Sequence, residues 1–203
     1  MRILPFKIQV TKIENNLFLG SIEDAYDAKK LAGLGITHIL NMATEIPNFY
    51  EGQFEYKKIN GRDIPAFQMH KHFEDVADFI HNSMQKGKVL VHCFCGISRS
   101  TTAILAYYVK YRGIDPRKGC EMIRKKRWIV YPNDGFMRQL IEYFRSKGID
   151  SREPEEKKLP VSTPTIPSRS NFTIKRVDPV KFASVTTVPT GASKSLAVRA
   201  VGR

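Results

Sequence analysis

Long apolar runs are missing from this 203-residue chain. A membrane-spanning helix needs about 18–20 consecutive apolar residues, and no stretch approaches that. Cysteine is scarce as well: Cys93, Cys95 and Cys120 are all there are. An odd, low count gives no disulfide framework and suits a reducing compartment. The first residues, Met1-Arg2-Ile3-Leu4-Pro5-Phe6-Lys7, show neither the apolar stretch nor the small-residue cleavage site of a secretory signal. Arg2 stands where simple myristoylation needs glycine, and the closing Ala200-Val201-Gly202-Arg203 holds no prenylation cysteine. The expectation is a protein without a membrane span, cytoplasmic and/or nuclear.

Acidic residues are in deficit, with 20 Asp and Glu against 33 Lys and Arg, for a net charge of +13. Residues 1–150 carry +7 of it and residues 151–203 the other +6, so the charge is not confined to one end. Partners of matching charge are nucleic acid, acidic membrane surfaces and phosphorylated substrates. For the C-terminal part, plain solubility is an equally good account.

Apolar residues make up 42% of the chain, enough for a core. Residues 1–150 read as one α/β domain. Partial alternation from Ile8 to Leu19, ending at Gly20, suggests strands. Ser21 can cap a helix reaching Leu31, with Glu23 and Asp24 in its first turn and Gly33 near its end. Ile36–Met42 and Val89–Val91 are short apolar runs like buried strands, and Tyr56–Ile59 is a further strand candidate. Phe73, Val76, Ala77, Ile80 and Met84 recur at helical spacing, and Gly87 ends that helix. Ser100–Tyr111 is apolar nearly all round and should be buried. Asp115-Pro116 opens another helix, and Pro132-Asn133 precedes an amphipathic one bearing Phe136, Met137, Leu140, Ile141 and Phe144. Residues 151–203 are rich in Ser, Thr, Pro, Lys and Arg, with Phe172 and Phe182 as the only aromatics. They read as a disordered tail that cannot bury enough surface to offset its ordering entropy.

One segment carries chemistry: Val89-Leu-Val-His92-Cys93-Phe94-Cys95-Gly96-Ile97-Ser98-Arg99-Ser100. A strand ends, a short loop follows and a helix begins, with five residues between Cys93 and Arg99. Such a loop can turn successive N–H groups inward, forming a nest for a tetrahedral oxyanion at the positive end of a helix dipole. Arg99 can hold two phosphate oxygens through its planar fork. The donors that bind phosphate also stabilise a thiolate, and helix N-termini bring cysteines from near 8.5 down to about 3.5–7.5. Cys93 is therefore the candidate nucleophile, able to form a phosphocysteine intermediate. The loop residues Phe94, Cys95, Gly96, Ile97, Ser98 and Arg99 are the candidate phosphate contacts. His92 can orient the loop, and Ser100 can stabilise the departing thiolate.

His92-Cys93-x5-Arg99-Ser100 is similar to the active-site signature of protein tyrosine phosphatases. The chain over roughly residues 8–147 resembles the dual-specificity branch of that superfamily, in its small atypical form. Leu17-Phe-Leu-Gly-Ser21, Gly35-Ile-Thr-His-Ile-Leu-Asn41 and Tyr131-Pro-Asn-Asp-Gly-Phe-Met-Arg-Gln-Leu140 carry the likeness further. The resemblance implies a central mixed, mostly parallel β-sheet flanked by α-helices. It implies a protein phosphatase acting on phosphotyrosine and on phosphoserine or phosphothreonine, without metal or cofactor. Its partners would be phosphorylated proteins, protein kinases among them.

The leaving oxygen needs a proton, which is worth ~10²–10⁴-fold when a positioned acid supplies it. Asp63, in Ile59-Asn-Gly61-Arg62-Asp63-Ile64-Pro65, is the candidate, at the family's distance before both Phe73 and Cys93. A turn residue beside Gly61 is its plain alternative. Asp75 and Asp78 fall in a helix, and Asp134 reads as a helix-start residue. Asn133 matches a family position that supports the loop, or is simply an N-cap. Cys95 departs from the usual small residue and is read chiefly as packing, with capture of an oxidised Cys93 as the other reading. Cys120 reads as core. Arg124-Lys-Lys-Arg127 reads as a solvated helix end, with a docking patch or a nuclear-import signal as alternatives. The uncharged loop argues against polyphosphorylated lipids. RNA 5′-phosphate, phosphoinositide and glucan substrates, or a non-catalytic phospho-binding module, stay open as alternatives.

Overall fold

Short apolar runs punctuated by Gly, Asn and Pro set the order of elements in the computed structural model, which describes residues 9–148. The expected disordered tail and the outer limits of a 1–150 domain lie outside the described residues. Five strands are present among the described residues: β1 (Thr11–Glu14), β2 (Leu17–Gly20), β3 (Ile36–Asn41), β4 (Glu55–Lys58) and β5 (Lys88–His92). They form one sheet in the order β1-β2-β5-β3-β4. Only β1 and β2 pair antiparallel; β2, β5, β3 and β4 run parallel. This is the mixed, mostly parallel sheet the resemblance implied. Val89, Leu90 and Val91 of the central strand are completely buried, as a strand covered on both faces requires.

Around the sheet lie α1 (Ile22–Ala25), α2 (Ala28–Leu34), α3 (Phe73–Lys86), α4 (Arg99–Arg112), α5 (Pro116–Arg124) and α6 (Asp134–Ser146), with a 3-10 turn at Met69–His72. The single helix expected from Ser21 to Leu31 is instead two. Asp24 turns back to accept from the Ser21 and Val10 backbone N–H groups at 3.0 and 2.9 Å. Asp27 then caps a fresh start, accepting from Lys30 N–H at 3.0 Å. Asp24 thus closes a capping box with Ser21 for the first helix alone, while Asp27 takes the Lys30 N–H that a continuous helix would direct to Tyr26 O. The second helix ends at Gly35, in the left-handed region with φ 72°, and Gly33 lies inside it. Helix α3 buries Phe73, Val76, Ala77 and Ile80 and stops at Gly87, as expected. Helix α4 is buried without interruption from Arg99 to Val109.

Parallel pairing decides where the loops meet. Gly20 and Asn41 both sit beside His92, and Lys58 sits beside Asn41. The carboxyl ends of β2, β3, β4 and β5 therefore share one edge, where ligand sites of parallel sheets form. The connections carrying Ser21, Glu45, Asp63 and Cys93 all leave from that edge. Among the described residues no helix is long and apolar enough to cross a membrane.

Helix α6 closes on this edge from the side. Phe136, Leu140 and Phe144 enter the core, each worth roughly 1.5–3 kcal/mol of burial. Its Gly135 lies against the Asp63 connection so closely that a Cβ would stand 2.0 Å from the Pro65 carbonyl oxygen. Gly135→Ala should therefore cost about 1–3 kcal/mol, read as a lowered denaturation midpoint in urea.

Candidate active site

The segment from Cys93 to Arg99 follows β5 and opens α4. The carbonyls of Phe94 to Ser98 each have a donor outside the loop's inner face. Phe94 O accepts from Ile22 N–H at 3.0 Å, Ile97 O from Tyr131 N–H at 3.1 Å, and Ser98 O from Thr102 N–H at 2.9 Å. Cys95 O and Gly96 O accept from the Arg127 guanidinium at 3.1 and 2.9 Å. The N–H groups of Phe94 to Ser98 have no acceptor among the described residues. Five adjacent donors with outward-held carbonyls form the oxyanion nest that the spacing predicts. Gly96 makes the turn with φ 67°, and a Cβ there would meet Gly20 O at 2.5 Å.

Cys93 lies at the root of this nest, 1% exposed, with its Sγ 3.2 Å from Ser100 Oγ. Arg99 is buried beside it, and its two Nη atoms hold the Glu45 carboxylate at 2.8 and 2.7 Å. Arg99 Nη1 also donates to Gly61 O at 3.0 Å. Burial opposes the Arg99 charge, but the Glu45 carboxylate and the negative groups around it outweigh that and raise its pKa. The same hydrogen bond from Arg99 holds Glu45 below the usual carboxylate range.

Asp63 arrives from the connection after β4 and lies against the loop. It accepts from Ser98 Oγ at 2.8 Å and from Asn133 Nδ2 at 2.9 Å, and its other oxygen is 3.6 Å from Arg99 Nε. Asn133 fills both of the places its sequence context suggests. Its Oδ1 caps α6 by accepting from Phe136 N–H at 3.0 Å, and its backbone N–H donates to Ser98 Oγ at 3.2 Å. The structure thus brings Cys93, Arg99, Asp63, Ser98, Ser100 and Asn133 together. His92 is fully buried beneath the loop, and neither ring nitrogen has a hydrogen-bond partner of ordinary geometry among the described residues. Burial lowers its pKa from 6.5 to about 4, against a smaller opposing effect of the Cys93 backbone.

Two expectations need correction. Cys95 is not packed: it is exposed at the surface, and its carbonyl rather than its thiol anchors the loop. Cys120 is buried, as expected. The basic run is a solvated helix end only in part: Arg124, Lys125 and Lys126 are exposed at the end of α5, while Arg127 turns inward. Arg127 is 2% exposed and also donates to Gln9 O at 2.9 Å. Arg124 reaches Val130 O at 3.2 Å and Lys126 reaches Ile13 O at 2.6 Å. Glu45 and Arg127 both escaped the sequence. A carboxylate just past the end of buried β3 is a signal that could have drawn attention to Glu45. Nothing in a run of four cations marks the one that turns inward. Of the acids set aside, Asp75 pairs with Lys57 at 2.6 Å and Asp78 with Lys110, while Asp134 starts α6.

Residues 17–146 match the family model described as dual specificity phosphatase, catalytic domain. Dual specificity protein phosphatase 14 of Homo sapiens is 40% identical over 137 residues, covering 67% of this chain and 69% of that protein. The crystal structure of DUSP15 superposes with a TM-score of 0.65 at 36% identity, covering 68% of this chain and 89% of that one. A human tyrosine phosphatase-like serine/threonine/tyrosine-interacting protein superposes at 0.63 and 32% identity, covering 68% and 97%.

Arg127→Met should strip the donors from Cys95 O and Gly96 O. The expected loss is about 3 kcal/mol of stability, together with weaker binding of inorganic phosphate measured by calorimetry. His92 gives a pH signature. The unfolded chain takes up its proton near 6.5 and the folded chain only near about 4. Its contribution is therefore complete above pH 6.5 and is lost as pH falls toward 4, by about 3 kcal/mol in all. Urea midpoints between pH 7 and 4 should fall less steeply for His92→Asn than for the wild type.

Proposed function

The chain belongs to the family of dual specificity phosphatase catalytic domains, and we propose on that premise that Cys93 is the nucleophile with which it works. The protein is a dual-specificity protein phosphatase, an enzyme that hydrolyses phosphate monoesters of phosphotyrosine and of phosphoserine or phosphothreonine. The assignment of residues rests above all on one observation. Five unclaimed N–H groups, with every carbonyl held outward, surround a buried cysteine at the start of a helix. That arrangement suits a phosphoryl group and little else.

In the first step the Cys93 thiolate attacks phosphorus in line with the leaving oxygen. An S–P bond forms as the P–O bond breaks. Equatorial oxygens rest on the N–H groups of Phe94 to Ser98 and on Arg99, whose fork Glu45 holds in orientation. Asp63, lying against the rim of the nest, gives its proton to the leaving oxygen. In the second step water attacks the phosphocysteine, Asp63 accepts a proton from it, and inorganic phosphate leaves. The electron pair of the S–P bond returns to Cys93, and the Ser100 hydroxyl at 3.2 Å can donate to the thiolate that reappears. His92 is buried immediately before the loop, and Asn133 holds both Asp63 and Ser98 in place. The substrates are phosphorylated proteins, with protein kinases as the partner class the family suggests. The catalytic unit is residues 1–150, followed by the basic tail 151–203, and the setting is cytoplasm and/or nucleus.

The test is phosphate release from matched phosphotyrosine, phosphothreonine and phosphoserine peptides, under reducing conditions with EDTA. Turnover should survive EDTA and vanish in Cys93→Ser, which should still bind phosphopeptide. Undiminished turnover by Cys93→Ser would refute the assignment. Asp63→Asn should lower kcat by ~10²–10⁴-fold on phosphothreonine peptides. Its loss should be smaller on aryl phosphates, whose leaving oxygen needs a proton less.

A further inference from the structure

The connection that carries Asp63 also builds a groove of about 400 Å³ on its outer side, lined by Arg62, Ile64, Ala66, Phe67, Lys71 and His72, with Gln68 completing the wall. Three of these side chains are basic, and none is acidic. Arg62 and Lys71 are exposed and make no hydrogen bond or ion pair through their side chains to any other described residue. Elsewhere on the domain lysines are commonly paired, as Lys30 with Asp24, Lys57 with Asp75 and Lys147 with Glu74. The nearest acids along the chain are already engaged. Asp63 faces Ser98 and Asn133, Glu74 takes Lys110 and Lys147, and Asp75 takes Lys57.

The groove is preformed. Gln139 of α6 donates to Phe67 O at 2.9 Å and accepts from His70 N–H at 2.9 Å. Gly135 backs Pro65, and the His72 ring stacks on Phe67 with centroids 6.1 Å apart. Arg62 and Ile64 are the immediate chain neighbours of Asp63, so the groove's lining is covalently next to the site.

We propose that this groove is a subsite for a glutamate or aspartate side chain of the substrate protein, close in sequence to the phosphorylated residue. The proposal rests on the reading of Cys93, Arg99 and Asp63 as the phosphatase site. Ile64, Ala66 and Phe67 offer an apolar floor for the methylenes of a glutamate, while Arg62 and Lys71 meet its carboxylate. Because these charges stand in water, each pair adds little, and the effect falls on KM rather than kcat.

The experiment uses the full chain and pairs of phosphotyrosine peptides that differ only by Glu against Gln at positions flanking the phosphoresidue, on either side. On at least one side, the wild type should show a KM about three- to ten-fold lower for the Glu peptide at low salt, with kcat unchanged. The preference should shrink in high salt. Lys71→Glu should abolish or reverse it, Arg62→Gln should halve it or more, and both variants should hydrolyse p-nitrophenyl phosphate like the wild type. Equal KM for Glu and Gln peptides on both sides would overturn the subsite while leaving the phosphatase intact, as would a preference that Lys71→Glu does not change. Failure of the wild type to hydrolyse even p-nitrophenyl phosphate would overturn both readings.

Discussion

Five consecutive carbonyls, from Phe94 to Ser98, face away from Cys93, and the rest of the site follows from keeping them there. A peptide unit that turns its C=O outward turns its N–H inward, so an anchored carbonyl is also an aimed donor. The anchors come from distant parts of the chain: Ile22 after β2, Arg127 after α5, Tyr131 before α6 and Thr102 within α4. Arg127 carries two of the five and ties in Gln9 as well. Its charge is buried without a carboxylate in direct contact among the described residues, and burial lowers its pKa despite the pull of Asp24. A buried cation of that kind is tolerated when its donors meet oriented carbonyls, and here those carbonyls are the backs of the nest.

The second constraint is the parallel sheet. Because β2, β5, β3 and β4 end at one edge, four connections deliver their residues to one place. Arg99 shows the consequence. It is held by Glu45 from the connection after β3 and by the Gly61 carbonyl from the connection after β4. A guanidinium fixed on two sides is already oriented when an anion arrives, which is where preorganised charge is most useful. The same edge sets Asp63 over the loop, with Ser98 and Asn133 limiting its freedom. The conformational cost of assembling the site is met in folding rather than in each turnover.

Charge is distributed with a sense of place. On the flank of the domain Lys110 joins Glu74 and Asp78, and Lys147 shares Glu74, whose pKa falls to about 2, chiefly through the hydrogen bond from Lys110. These pairs use up cations away from the active edge. Beside Asp63, Arg62 and Lys71 are left unpaired among the described residues. A net charge of +13 is therefore no uniform coat. It includes cations bound into the scaffold, cations that neutralise surface acids, and exposed cations such as Arg62 and Lys71 that line a groove of their own.

Much of this was legible in the chain itself. Val89-Leu-Val reads best as a buried central strand, and the ten apolar or small residues after Arg99 as a buried helix. A cysteine and an arginine with five residues between them then have one short loop to share. Local chemistry also marks Asp115 and Asn133 as caps and Gly87 as a stop. Local chemistry can mislead, however, where two signals overlap. Ser21 announced a helix, yet Asp27 divided it, because its carboxylate took the Lys30 N–H that a continuous helix would have used. What the sequence by itself determined is the candidate cysteine, its loop and the class of reaction, since these depend on residues within a few positions of one another. Glu45 on Arg99, Arg127 beneath the loop and the open charges of Arg62 and Lys71 were decided by tertiary structure alone. Their meaning lies in which side of a surface or a strand end they face, and only packing across tens of residues settles that.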